Sequence, residues 1–259
     1  MRIISKAGVL IINLIVFGFS AQAQIEGLFA PYDCRRHAEV MVEPVIDTLS
    51  SISLQALNPV QPELDIIIDT LNGWKDWRFV QNFQYGKDRG DMPMIVEVNA
   101  LHPYFRDQII TLIANCKQQG IDLAVVESYR THAKQSEYKG MGKKYTRSGA
   151  GKSKHQYGLA VDLVPIVDSV AVWDDKILWK RIGVVGEQLG LRWGGRWKKP
   201  YDPGHFEWTG GVPTSQLSVG KLPPIVNQEQ NYPCIEDDIK LLQRYWKEWE
   251  INQSSMARK

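Results

Sequence analysis

A carboxylate stands in the middle of an otherwise apolar run, Asp162 in Leu159-Ala-Val-Asp-Leu-Val164. The run is strand-like, and strand alternation puts Ala160, Asp162 and Val164 on one side and Leu159, Val161 and Leu163 on the other. A carboxylate among such neighbours is costly to bury unless a metal or another cation compensates its charge. The fold must therefore bring a cationic partner to the centre of this strand.

Two histidines could serve a metal there. His155 lies seven residues upstream at the end of a loop, and Gly158 lets the backbone turn between imidazole and carboxylate. His205 follows the tight Asp202-Pro-Gly204 turn and opens the compact strand His205-Phe-Glu-Trp208. Imidazole nitrogen and carboxylate oxygen suit zinc, and a catalytic zinc uses three protein ligands so that a fourth position stays open. Asp202, beside that set but not in it, has the chemistry of a general base and then acid. Arg130, ending an earlier strand, is the cation best placed for a developing oxyanion. Singly, each has a plainer reading: a lone histidine is usually structural, Asp-Pro-Gly usually a turn, and an arginine at a strand end usually a salt-bridge partner. Jointly they weigh more, because two of the five histidines fall in these glycine-bounded contexts while His37, His102 and His132 do not.

All these positions fall within residues 94–218, the expected main domain. Residues 103–119 carry the helical stripe Ile109, Leu112, Ile113 and Cys116; Gly120 stops the helix, and 121–126 form a covered strand closed by Ser128-Tyr-Arg130. A loop rich in Gly, Lys, Ser and Thr over 139–153 precedes His155. A second helix is expected over 174–189, followed by Leu191-Arg-Trp-Gly-Gly195 and a turn-rich bridge at 198–204. Helices mixed with short strands give an α+β fold, here a small antiparallel sheet with flanking helices. Residues 24–93, punctuated by prolines and glycines, read as an accessory region with a short amphipathic helix over 63–71 and no cluster of ligand-type residues. The tail, 219–259, places Ile235, Ile239, Leu242, Trp246 and Trp249 on one helical face. Its other face mixes acids and bases, which fits packing back on the domain.

The first 23 residues have the three regions of a secretory signal: Arg2 and Lys6, an uncharged run over 7–19, and Ser20-Ala-Gln-Ala23 before an expected cut. Thirteen uncharged residues are too few to span a bilayer, which takes roughly 20. The expectation is an exported chain, periplasmic or extracellular, with no stable membrane insertion. Losing Arg2 and Lys6 leaves 29 basic against 29 acidic residues. Such a neutral chain, without Lys/Arg runs, gives no electrostatic case for nucleic acid, and a monomer is expected. Three cysteines without metal-ligand spacing argue against a thiolate site. Cys116 reads as a buried thiol. In an oxidising compartment a bridge between Cys34 and Cys234 would tie extension to tail, and the sequence leaves that pairing open.

The motifs, in order, are Glu127-Ser-Tyr-Arg130 followed by Gln135, Ser153-Lys-His155-Gln-Tyr-Gly-Leu-Ala-Val-Asp162-Leu, Gly190-Leu-Arg-Trp-Gly-Gly195-Arg-Trp197, and Asp202-Pro-Gly-His205-Phe-Glu207. Across residues 94–218 the chain resembles the zinc D-Ala-D-Ala carboxypeptidases and L-Ala-D-Glu endopeptidases of peptidoglycan, which include vancomycin-resistance-type carboxypeptidases and phage endolysins. The resemblance implies a Hedgehog/D,D-peptidase-like zinc domain acting on peptidoglycan peptides. It implies that His155, Asp162 and His205 are the zinc ligands, that Asp202 is the catalytic carboxylate and that Arg130 polarises the carbonyl. Gln135 and Ser153 match positions near the site, where they could bind a peptide or fix a loop; Trp193 and Trp197 could wall the cleft or belong to the core. The Trp-Gly-Gly block, with Asp as the catalytic acid, looks more like the endopeptidase branch. A carboxypeptidase is the alternative, and nickel or cobalt could occupy such ligands. A non-catalytic cell-wall protein is disfavoured because all five chemical positions carry competent residues, and a structural zinc because no fourth ligand is in reach.

Overall fold

The computed structural model describes residues 73–256. The expected signal, His37, Cys34 and the helix expected over 63–71 lie outside the described residues. In chain order the elements are β1 (Phe79–Val80), β2 (Met94–Ile95), α1 (Pro103–Gln118), β3 (Asp122–Glu127), α2 (His132–Gly140), β4 (Ala160–Val167), β5 (Val170–Ala171), α3 (Lys176–Gln188), β6 (Arg192–Trp193), β7 (His205–Glu207) and α4 (Ile235–Met256), with short helical turns between them.

The apolar run around Asp162 becomes β4, buried on both faces over most of its length. It sits at the centre of an antiparallel sheet ordered β3-β4-β7-β6, with β5 folded back on the end of β4; β1 and β2 pair separately. Antiparallel pairing of mixed helices and strands is the expected α+β arrangement. Register does the rest. Asp162 lies opposite His205 on one side and opposite Glu127 on the other, so the three side chains share one face of the sheet. The β3–β4 register shifts between Val125 and Glu127, a bulge-like irregularity that brings Glu127 to Asp162.

Two helices cover the sheet. Proline at the first turn starts α1, whose stripe of Phe105, Ile109, Leu112 and Cys116 is fully buried, and Gly120 leaves the helix at φ +73°. Burying each such large apolar side chain contributes about 1.5–3 kcal/mol. On α3, Gly183 has no side chain because the indole of Trp193 occupies the place; a Cβ would stand 2.3 Å from that ring. Asp175 caps α3 by accepting from the backbone N–H groups of Ile177 and Leu178.

The tail helix packs back on the domain, as its apolar face implies. Ile235, Ile239, Leu242, Tyr245, Trp246 and Trp249 are buried, and Trp246 stacks on Tyr129 with ring centroids 4.6 Å apart and planes 3° apart. Trp246 Nε1 donates to the Ala100 carbonyl at 2.9 Å, and Thr131 Oγ1 donates to Gln253 Oε1 at 2.7 Å. This helix therefore underlies the segment that carries Arg130. Cys116 is a buried free thiol, and Cys234 is disulfide-bonded; the partner considered for it, Cys34, lies outside the described residues. No helix among the described residues is long and apolar enough to cross a membrane.

Candidate metal centre

His155 comes from a single helical turn, Lys154–Tyr157, that ends at Gly158 in the left-handed region, φ +63°. The turn delivers the imidazole to the sheet face where Asp162 and His205 already stand opposed. His155 Nε2 lies 3.4 Å from Asp162 Oδ1, His205 Nδ1 lies 3.1 Å from the same oxygen, and the two nitrogens are 3.3 Å apart. Ligand atoms bound tetrahedrally at zinc-like bond lengths are about 3.3 Å from one another. The three donors are thus spaced as a metal would space them, and all three residues are buried. Among the described residues no fourth His, Cys or carboxylate joins the set. Its composition and its open position fit a catalytic metal.

The remaining nitrogens show how each ring is oriented. His155 Nδ1 faces the Ser128 carbonyl at 2.9 Å, and a carbonyl can only accept, so the proton sits on Nδ1 and Nε2 presents its lone pair inward. His205 Nε2 lies 3.1 Å from Glu207 Oε2, which leaves its Nδ1 to face Asp162. Glu207 is anchored in turn by Lys154 Nζ at 2.8 Å and Arg192 Nη1 at 2.6 Å. In the sequence Glu207 is only part of a motif; its partners become visible once β7 pairs with β6 and β4.

Charge is nearly balanced around the carboxylates. Burial works against ionisation of Asp162, yet His155, His205 and Arg89 together hold it well below the usual range. Burial lowers His155, reinforced by the Arg130 charge. Burial also opposes charge on His205, but its bonds to Asp162 and Glu207 prevail and raise it to about 10. The metal-free cluster therefore keeps a proton on His205, between two carboxylates, where a cation is wanted. Asp202, at the turn into β7, has its pKa raised by burial and by the Asp162 charge, and it stays outside the ligand set. Its backbone is fixed: N–H to the Gly194 carbonyl at 3.2 Å, and carbonyl to the His205 N–H at 3.2 Å.

Arg130 is buried and largely committed to protein acceptors. Nη2 donates to Glu127 Oε2 at 2.5 Å and approaches Asp162 Oδ2 at 3.5 Å, while Nη1 donates to Gln135 Oε1 at 3.1 Å. Glu127, fully buried, is the acid that makes this arginine affordable. Gln135 is saturated, since its Nε2 also donates to the Ser148 carbonyl at 2.7 Å and to Thr146 Oγ1 at 3.3 Å. Of its two readings the contacts match loop fixing. Ser153 caps the His155 turn, its N–H reaching Gln156 Oε1 at 3.4 Å, also a fixing contact. Trp193 is core, with Nε1 on the Pro203 carbonyl, whereas Trp197 lies beside the His205 ring at 5.1 Å and walls the site. His102 is buried away from the cluster and His132 pairs with Glu250, so neither is a ligand.

One residue of the site was missed altogether. Arg89, in the stretch read as accessory, places Nη1 3.2 Å from Asp162 Oδ2 and 4.0 Å from Glu127 Oε2.

Three donors around an open position, with a carboxylate nearby, form the kind of centre found in metal-dependent hydrolases. Sequence relationships narrow the class. A family profile described as D-alanyl-D-alanine carboxypeptidase matches residues 146–208. The peptidoglycan L-alanyl-D-glutamate endopeptidase CwlK of Bacillus subtilis is 34% identical over 131 residues, covering 45% of this chain and 77% of the relative. Among solved structures, the L-Ala D-Glu endopeptidase ChiX of Serratia marcescens is 27% identical, over 43% of this chain and 83% of that one, with a TM-score of 0.37. The vancomycin resistance D,D-pentapeptidase VanY, in complex with Zn(II), is 18% identical over 63% of this chain and 90% of its own, with a TM-score of 0.31. The chain belongs to the family of peptidoglycan peptidases that holds the D-Ala-D-Ala carboxypeptidases and L-Ala-D-Glu endopeptidases.

Proposed function

We propose that this chain is a zinc-dependent endopeptidase that hydrolyses the L-Ala–D-Glu bond of peptidoglycan stem peptides, outside the cytoplasm and after removal of residues 1–23. The observation that carries the reading is the tetrahedral spacing of His155 Nε2, Asp162 Oδ1 and His205 Nδ1, together with 34% identity to CwlK over 77% of that relative's length. A metal held by these residues supplies Lewis-acid polarisation and an acidified water. The protein's own groups do the rest. Asp202 takes the proton of the attacking water and returns it to the leaving amine, a task suited to a carboxyl whose proton affinity is raised. Arg130 places a fixed positive charge beside the ligand set, where the carbonyl oxygen gains negative charge. Trp197 shields the His205 side from water.

The D-Ala-D-Ala carboxypeptidase reading is favoured by the family description over 146–208. Digestion of defined peptidoglycan fragments, with and without chelator and with zinc restored, separates the two by mass spectrometry. Zinc-dependent scission after L-Ala supports the endopeptidase; release of terminal D-Ala alone supports the carboxypeptidase; no zinc-dependent product sinks both.

A further inference from the structure

The segment 81–93 is heavily braced for a loop with no regular structure. Asn82 Oδ1 accepts from the Arg89 N–H at 2.6 Å, and Asn82 Nδ2 donates to Asp88 Oδ1 at 3.0 Å. Glu137, on α2, accepts from the N–H groups of Asp91 and Met92 at 2.6 and 3.1 Å. Lys134, only 1% exposed, donates to the carbonyls of Arg89 and Met92. A buried lysine spent on a loop backbone is costly, and what the arrangement secures is the position of Arg89.

Arg130 and Arg89 divide the cationic work unequally. Arg130 is 8% exposed with both terminal nitrogens on protein oxygens, whereas the Arg89 side chain is 19% exposed and anchored through Nη1 alone. Among the described residues nothing accepts from Arg89 Nε or Nη2. The nearby Lys87 ammonium sits 3.8 Å above the Trp173 ring, adding positive charge on the same side. A D-glutamyl residue, whichever carboxyl joins the next residue, keeps a second carboxyl outside the peptide bonds. A guanidinium with two open donors is the natural partner for it.

We propose that Arg89 is a specificity-determining residue that binds the free carboxylate of the glutamyl residue next to the scissile bond. This rests on the endopeptidase reading above. Anchorage on Asp162 Oδ2 holds the guanidinium at a set distance from the metal position, so the carboxylate it grips fixes which carbonyl reaches the reacting centre.

Two peptides decide it: one with L-Ala-D-Glu bearing the free carboxylate, and its twin with that group as the carboxamide. The full zinc-loaded chain is expected to prefer the acid, and Arg89→Gln to lose about tenfold or more of that acid-over-amide preference in kcat/KM, mainly through KM on the acid, beyond any loss common to both peptides that comes through Asp162. Arg89→Lys should recover part of the loss, and zinc content measured on each variant should stay at one per chain. Equal losses on both peptides would overturn the proposal and reduce Arg89 to a support for Asp162. Calorimetric titration of both peptides into Asp202→Asn, with and without Arg89→Gln, gives a second arm independent of turnover. If Asp202→Asn shows an Arg89-dependent preference for the acid while the parent chain cleaves neither peptide, the endopeptidase reading fails and the carboxylate site stands; no preference sinks the carboxylate site.

Discussion

Glu207 Oε2 receives the Nε2–H of His205 at 3.1 Å and thereby decides which nitrogen of that ring faces Asp162. The two residues share a strand but are separated by Phe206, whose side chain goes the other way into the core. Glu207→Gln keeps the shape and removes the charge. It should weaken metal binding by about 10–100-fold with the fold intact. Competition against a chromophoric chelator measures this, and an unchanged affinity would show that the ring needs no such support.

Metal uptake should expel a proton. His205 is raised to about 10 in the metal-free cluster, so it is protonated at pH 7, and a ligand nitrogen must be bare. Calorimetric titration with zinc in buffers of different ionisation enthalpy should report about one proton released per metal near pH 7, and less as the pH passes 10. A release of zero at pH 7 would contradict the proton bridge.

Asp202→Asn should bind metal like the parent chain and lose turnover by about a hundredfold to ten-thousandfold. His155→Ala, by contrast, should lose the metal itself. If the Asp202 variant kept full activity, proton transfer would belong to another group.

His102 provides a pH signature independent of the metal centre. Burial lowers it to about 4, and its ring nitrogens find no partner among the described residues. The unfolded chain takes up this proton below about pH 6.5, whereas the folded chain does not until about 4. Stability from this group is thus complete above pH 6.5 and declines as the pH falls towards 4, by about 3 kcal/mol in all. Urea unfolding across that window should show a shallower decline for His102→Gln; parallel curves would refute the assignment.

Gly158→Ala should be disproportionately harmful. The new Cβ would meet the Trp246 ring at 2.7 Å and the His102 backbone nitrogen at 2.8 Å, at a φ of +63°. A loss of about 2 kcal/mol or more in thermal unfolding is expected, with weaker metal binding because His155 moves with the turn.

The ligand set was legible because each member breaks a local pattern: a carboxylate in an apolar strand, and histidines beside glycines that turn the chain. What supports the set was not. Glu127 and Glu207 look like ordinary strand acids until pairing places them across from Asp162 and against Arg192. The helix α2 escaped notice because its buried residues are Lys134, Gln135 and Tyr138, which leave no apolar stripe for periodicity to mark. Arg89 lies 73 residues before its partner Asp162, in a segment without repeat or motif, and only the braced loop reveals its purpose. The long amphipathic helices α1 and α4 were readable for the opposite reason, since a single stripe both forms and buries them.

The stacking of Trp246 under Tyr129 also orders events in time. Ile235, the first residue of α4, follows the last ligand, His205, by 30 residues, so chain order delivers all three metal ligands ahead of the helix that underlies the Arg130 segment. The centre therefore reaches its finished geometry only once α4 has packed beneath the Arg130 segment.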